Sequence, residues 1–293
     1  MNNISFRAIA LYLRHTPIEK GKYRLLTIAR PVGRIIGPSL GRRKIQTKHG
    51  FKIMLDLQDW IPQDIYLTGD FETTTSKIAK ILLKPGDAVV DVGANIGYFT
   101  LLFAHCVGNE GEVYSFEPGP ELAAKLLENL KLNWYTQVTL SNQALSDRNG
   151  KAQFHTGPVD NTGLSSLRKP RESSGSFEVQ LSKFDDIPGI ERSKIKLVKI
   201  DVEGAELQVL RGMEGFLREQ HPALILEITD QFLKDLGDSY DLLLSFLAQF
   251  GYFCYVIGDG RVTLLENMQH ELPDQWNALF VSEKMFGAGL MVS

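Results

Sequence analysis

From Ala88 onward the chain alternates short, continuously apolar runs with longer stretches whose apolar residues recur at helical spacing. "AVVDVGA" reads as a buried strand and "YFTLLFAHCV" as the helix after it. "EVYSFEP" and "PELAAKLLENLKLN" repeat the unit, and "VTLSNQAL" gives a third strand. After an irregular stretch come "IKLVKIDV", the helix "AELQVLRGMEGFLREQ" and "ALILEI". The helix "YDLLLSFLAQFG" and the strands "YFCYVIG" and "NALFVSE" close the pattern. Strands that are apolar throughout are buried on both faces, so the pattern predicts an α/β fold with a mostly parallel sheet between layers of helices. Ligands of such sheets bind beyond the carboxyl ends of the strands, where the strand order reverses. The tips "DVGANIG", "FEPGP", "ALSD" and "DVEGAE" converge there, and chemistry is to be sought among them.

Upstream, residues 1 to about 30 read as helices with a break near Thr16-Pro17, and 31–43 as a Gly/Pro-rich linker. "KIQTKHGFKIMLDL" alternates and turns at His49-Gly50, which predicts a hairpin. A helix from about Thr73 to Leu83 is stopped by Pro85-Gly86-Asp87. The division that follows is a helical extension over 1–45 and a main domain over 46–293. Segment 148–194, with "NTGLSSLRKPRESSGS" inside it, is a loop and strand insertion between the third and fourth tips. It suits either a flexible surface loop or one wall of a substrate site.

Composition narrows the picture. With 293 residues, 43% of them hydrophobic, the chain can bury the core of one large domain. Cys106 and Cys254 have no metal-ligand spacing, so neither a disulfide framework nor a cysteine metal site is expected, which suits a reducing compartment. No apolar run approaches a membrane span and no signal peptide is evident, so a cytoplasmic protein is expected. The net charge of −3 conceals an asymmetry: the first fifty residues hold eleven Lys and Arg against the single acid Glu19. That segment carries about +10 and the remainder about −13. Residues 1–45 could therefore touch an anionic membrane surface, or simply pack their apolar side chains on the acidic body with their charges in water. A nucleic-acid partner is not expected.

The most informative stretch is "VVDVGANIGYFT". Gly93 permits a sharp turn at the strand end, Gly97 permits close approach to the helix start, and the free amides of that helix favour an anionic group. Asp91 beside them would repel a pyrophosphate but attract an ammonium. A ligand bearing both an amino group and a carboxylate fits, as does the methionine end of S-adenosylmethionine. Glu117 ends the next strand, where a carboxylate can accept hydrogen bonds from ribose hydroxyls. The loop is G-A-N-I-G rather than G-x-G-x-x-G, which argues against the alternative of a nicotinamide-dependent oxidoreductase.

"VVDVGANIGYFT", "YSFEPGP", "NQALSD", "NTGLSSL" and "LVKIDVEGAELQVLRGM", in this order and preceded by "DWIPQDIYLTGDFE", resemble the FkbM family of S-adenosylmethionine-dependent methyltransferases. The likeness runs from about residue 51 to 230. It implies a class I methyltransferase (Rossmann-like) sheet of seven strands, the last inserted antiparallel. It also implies that Asp91, Gly93, Asn95 and Gly97 hold the methionine end, with Ala94, Tyr98 and Phe99 in the same turn. Glu117, followed by Pro118, takes the ribose; Ala144 and Leu145 flank the adenine; and Glu72 of "TGDFE" approaches the amino-acid end. The family is implicated mainly in O-methylation of sugars or polyketides.

A hydroxyl acceptor needs a base within reach as its proton leaves, and "KIDVEGAE" supplies Asp201 and Glu203 at the fourth tip. Asp201, which ends the strand directly, is placed first. Two carboxylates two residues apart do not by themselves support a divalent metal. Glu206 suits the first turn of the next helix, Glu227 is a further candidate for substrate contact, and His155 is the one histidine considered for the acceptor side. The remaining alternative is a non-catalytic module that keeps the cofactor fold and works through its basic arm. Neither the acceptor nor the oligomeric state is written in the sequence.

Overall fold

The structure, a computed structural model, describes residues 3–15, 22–158, 160–169, 172–258, 260–268 and 272–283. It begins with helices α1 (Asn3–His15) and α2 (Lys22–Leu40), the hairpin β1 (Arg42–Gln46) and β2 (Lys52–Asp56), and helices α3 (Trp60–Thr68) and α4 (Thr73–Leu82). Next come β3 (Ala88–Val92), α5 (Tyr98–Val107), β4 (Glu112–Phe116), α6 (Pro120–Asn133) and β5 (Val138–Ser141). The insertion holds β6 (Ala144–Leu145), β7 (Gly150–Thr156) and β8 (Gly175–Ser182). The chain resumes with β9 (Ile195–Ile200), α7 (Glu206–Gly212), α8 (Glu214–Gln220), β10 (Ala223–Thr229) and α9 (Asp230–Asp235). It continues through α10 (Tyr240–Ala248), β11 (Tyr252–Ile257), β12 (Val262–Leu264) and β13 (Gln275–Ser282).

The main sheet has the order β5-β4-β3-β9-β10-β13-β11-β12. Strands β3, β4, β5, β9 and β10 are parallel, and β13 lies antiparallel between β10 and β11. This is the strand arrangement of the class I methyltransferase fold, with β12 as an eighth strand at one edge where seven were expected. Alternate residues of the central strands feed separate apolar layers. Val89, Leu197 and Ile225 join one, and Val90, Val198 and Leu226 the other. Burial on both faces accounts for the continuous apolar runs. The strand order reverses at β3, between its neighbours β4 and β9.

The N-terminal helices correct one expectation. Residues 31–43 are not a linker, because α2 continues through Pro31 and Pro38 to Leu40. Its prolines face solvent, whereas Ala29, Gly33 and Gly37 lie four residues apart on the face turned to the protein. A Cβ on Gly37 would lie 2.4 Å from the Leu57 carbonyl oxygen and 2.7 Å from Gln63 Nε2, so the helix can sit this close only as glycine. From α1, Phe6, Ala10 and Leu13 enter the same cluster as Ile53, Ile65 and Leu101. The helical pair is thus built into the main body, and the boundary expected at residue 45 falls inside β1. The break expected at Thr16-Pro17 lies outside the described residues.

Three smaller differences have local causes. The stretch "VTLSNQAL" divides into β5 of the main sheet and β6, which pairs with β8 in a three-stranded sheet. The helix after β9 breaks at Met213, where a Cβ on Gly212 would lie 1.9 Å from the Ser146 carbonyl oxygen. Helix α3 was not anticipated, although Asp59 caps its start by accepting the Ile61 amide at 3.3 Å and Gly69 ends it in the left-handed region. Both cysteines are free. Substituting Gly37→Ala is expected to destabilise the protein by roughly 2 kcal/mol through overpacking. Pro31→Ala, which restores a helix donor on the solvent face, is expected to raise stability by up to about 3 kcal/mol. Thermal or urea denaturation of the two variants checks both signs.

Candidate functional site

A cavity of about 300 Å³ opens at the carboxyl ends of β3, β4, β9 and β10. Its volume is at the lower end of the range, roughly 300–1,000 Å³, usual for small-molecule sites. Gly93, Asn95, Glu117, Pro118, Ala144, Leu145, Asp201 and Glu203 line it, together with Glu227. Residues 161–165 and Leu167 of the insertion form one wall. That wall is tied down at both ends. Thr162 donates its amide, at 3.2 Å, and its hydroxyl to Asp59 Oδ2, and Ser166 Oγ donates to the Glu203 carbonyl at 2.9 Å. The insertion is therefore a wall of the cavity.

Glu117 is 3% exposed. Its two oxygens each accept one backbone amide at 2.8 Å, Oε1 from Gly119 and Oε2 from Asn95, so lone pairs remain on both. Burial pushes its carboxyl up to about 7 despite those two bonds. Across the cavity, the sheet brings a second group of acids around one ammonium. Lys199 Nζ lies 2.8 Å from Asp201 Oδ2 and 4.6 Å from the centre of the Phe99 ring. Burial alone would lower the ammonium's pKa, but the charges of Asp201, Glu72 and Asp91 overturn this and hold it above its ordinary value. Oxygens of Glu72, Asp201 and Glu227 lie within 4.8 Å of one another, the geometry of a three-carboxylate cluster able to hold a cation. Burial first, then the charges of Asp201 and Glu206, raises Glu203 well above the usual carboxylate range. Glu227 rises likewise, through burial and then Asp201, Glu203 and Glu72.

Backbone strain is concentrated here. Among the described non-glycine residues, five have positive φ, and Glu72 (44°), Asn95 (52°) and Glu203 (56°) are at this site. The other two, Trp134 and His221, merely close α6 and α8. Left-handed backbone at a non-glycine residue costs on the order of 1 kcal/mol and tends to persist where the surroundings enforce it. The glycine at 93 has a steric cause, since a Cβ there would lie 1.8 Å from the Asp201 carbonyl oxygen. The tips of β3 and β9 nearly touch.

Other residues singled out in the sequence lie outside the lining. Asp91 is buried behind it; its Oδ2 accepts the Thr100 hydroxyl at 2.5 Å, and its Oδ1 has no hydrogen-bond partner. Burial raises its pKa against the pull of Lys199. Ala94, Gly97, Tyr98 and Phe99 form the turn and first residues of α5 without lining the cavity. A Cβ on Gly97 would strike Leu126 Cδ1 at 2.1 Å, so helix packing explains that glycine. Tyr98 donates its hydroxyl to Asp70 at 2.7 Å. Glu72 accepts from Asn277 Nδ2 at 3.0 Å, next to Asp201. Glu206 is buried and its Oε1 accepts the Gly204 amide at 3.0 Å, which secures the turn into α7. His155 sits in β7, bridged to Ser166, and does not line the cavity. Sequence reasoning missed Lys199, Gln143 and Trp60; the signal for Lys199 was a second lysine, after the exposed Lys196, in a strand whose other residues are apolar.

The profile of the methyltransferase FkbM domain matches residues 91–254. The chain belongs to this family. The FkbM domain's methyl donor is S-adenosylmethionine. The chain is 31% identical over 133 residues to the hexuronic acid methyltransferase AglP of Haloferax volcanii, covering 45% of this chain and 52% of that protein. It is also 31% identical over 162 residues to the 31-O-demethyl-FK506 methyltransferase FkbM of Streptomyces tacrolimicus, covering 45% and 61%. The matches thus span between about half and three fifths of these relatives. Among solved structures, the methyltransferase FkbM from Methylobacillus flagellatus is 15% identical with a TM-score of 0.43, covering 95% of this chain and 58% of that one.

The cavity's chemistry fits the donor. A buried carboxylate with free lone pairs suits a pair of ribose hydroxyls, and an acid-rich end suits a sulfonium and an ammonium. Because folded Glu117 and Glu206 keep their protons to about pH 7, whereas the unfolded chain releases them near 4.5, the folded state binds more protons in between. The stability of the ligand-free protein is therefore expected to fall as pH rises from 5 to 8. In Glu117→Gln the fall should be shallower, which thermal melts across that range will measure.

Proposed function

We propose that the chain transfers a methyl group from S-adenosylmethionine to a hydroxyl of a sugar, glycan or polyketide-like natural product. The observation that carries this reading is a single cavity with Glu117 at one end and Asp201, Glu203 and Glu227 at the other. Glu117 takes the ribose, with Pro118 beside it and Ala144 and Leu145 against the adenine. Asp91, through its unpartnered Oδ1, serves the methionine end together with Gly93 and Asn95. Glu72 completes that end of the site. Bound there, the donor supplies a methyl group already activated on sulfur.

The chain's own task is to align the acceptor and remove its proton. Lys199 fixes Asp201, which orients the hydroxyl. Glu203, whose raised pKa makes it the stronger base when ionised, receives the proton as the oxygen–carbon bond forms and the carbon–sulfur bond breaks. Relatives named for a hexuronic acid and for 31-O-demethyl-FK506 support a hydroxylated acceptor of this class.

S-adenosylhomocysteine is expected to raise the thermal midpoint of the protein; absence of any shift would remove the basis of the proposal. Glu203→Gln is expected to lower kcat by about 10²- to 10⁴-fold while S-adenosylhomocysteine binding stays intact. Asp201→Asn should instead show its larger effect on the acceptor's KM. The Glu72, Asp201 and Glu227 cluster favours one second reading, a divalent cation that holds the acceptor oxygen. Since Lys199 already supplies a positive charge to this cluster, EDTA is expected to leave turnover unchanged. Loss of turnover restored by magnesium or manganese would move the orienting role from Lys199 to a metal.

A further inference from the structure

We propose that the outward face of α2, with the solvent side of α1 beside it, is a docking surface for an anionic lipid bilayer. The face is unusually apolar for an exposed helix: Ile35 is 80% exposed and Ile28 60%, and in α1 Leu11 is 52% and Tyr12 43% exposed. At the α-helical repeat, Ile28, Pro31, Ile35 and Pro38 fall within a sector of about 80°, opposite the Ala29, Gly33 and Gly37 face that packs inward. No described helix is long and apolar enough to cross a membrane, so this stripe has the character of a surface-lying element rather than a span.

Charge selects the occupant. Arg30 and Arg34 lie along one edge of the stripe, Arg7 is exposed on α1, and just beyond α2 Arg42, paired with Glu128, and Lys44 are exposed. Arg30 is paired with Asp64 at 2.7 Å, while Arg34 lies 4.0 Å over the ring of Trp60, itself 39% exposed. Isoleucines flanked by arginines and a half-exposed tryptophan match the interface of a bilayer, in which acyl chains take the apolar groups and phosphates the cations. A nucleic acid would use the cations but leave Ile28 and Ile35 without a partner.

The position of this face has a functional consequence. A groove bounded by Arg30, Arg34 and Asp64 shares Trp60, Ile61 and Phe71 with the main cavity. A hydroxylated acceptor carried on a lipid could therefore pass from the membrane surface to Asp201 and Glu203 without dissociating. This last step rests on the methyl-transfer reading above; the docking itself does not.

The test is sedimentation of the full chain with vesicles of phosphatidylcholine alone and with phosphatidylglycerol added. Binding is expected only to the anionic vesicles and should weaken with salt. The double variant Ile28→Glu, Ile35→Glu should bind at least roughly tenfold more weakly, since it removes two apolar anchors and adds two repelling charges. The shift in thermal midpoint with S-adenosylhomocysteine, measured on the same variant, should be unchanged and would show that the fold is kept. Failure to sediment with anionic vesicles, or equal sedimentation of the variant, overturns the proposal. So does a dimer in sedimentation equilibrium that the same double variant dissolves, which would assign the face to a second copy. If S-adenosylhomocysteine stabilises neither protein, the methyl-transfer reading fails while the vesicle result still decides the docking.

Discussion

The site is organised by one buried ammonium. Lys199 points from near the carboxyl end of a parallel strand into a group of carboxylates, and its contact with Asp201 at 2.8 Å lets several acids stand together there. Bringing such charges out of water costs several kcal/mol per ion unless an opposite charge compensates. Here one cation answers Asp201, Glu72 and Asp91 together, while burial first and then the neighbouring acids raise the pKa of Glu203 and Glu227. Carboxyls that hold their protons more tightly than usual thus face the cavity, and a positively charged donor would favour their ionised form.

The backbone is shaped to the same end. Gly93 lets β3 end almost against the Asp201 carbonyl, and the left-handed turns at Asn95 and Glu203 redirect the chain on each side of that contact. The Asn95 turn delivers its amide to Glu117, which fixes one carboxylate oxygen, while the Gly119 amide fixes the other. Glu203 is held from the opposite side, because its carbonyl accepts the Ser166 hydroxyl from the insertion. Strained backbone at the tips and a tether from the wall thus meet around the close approach at Gly93.

Much of this was legible because parallel strands, buried on both faces, announce themselves as apolar runs, and because charged residues at their ends stand out against that background. Asp91, Glu117, Asp201 and Glu203 were found in this way, and strand topology then brought Glu117, Asp201 and Glu203 to one cavity. Lys199 was overlooked because a lysine near a strand end is read as a group reaching for water, and its burial follows only from partners distant in sequence. Gly97 suggested a ligand for a similar reason: a small residue at a helix start signals close approach, but the neighbour proved to be Leu126. The insertion was placed between the third and fourth tips, but the choice between loop and wall stayed open, since the bonds from Thr162 to Asp59 and from Ser166 to Glu203 link residues more than thirty positions apart.

The same ambiguity explains the N-terminal segment and gives it meaning. "RPVGRIIGPSLGRR" looks like a linker when glycine and proline are counted together, yet in a helix the two residue types sort onto different faces. The glycines of α2 lie where Gln63 and the Leu57 carbonyl press in, and the prolines lie on the solvent face, where water can reach the carbonyls they leave without a helix donor. Such sorting leaves isoleucines on the outer face, exposed among the described residues. A helix serving only as packing for α1 and α3 could carry polar residues at Ile28 and Ile35 at no cost to its buried contacts. Their presence there, beside arginines and next to the cavity's approach, is what the docking proposal accounts for and a purely structural role does not.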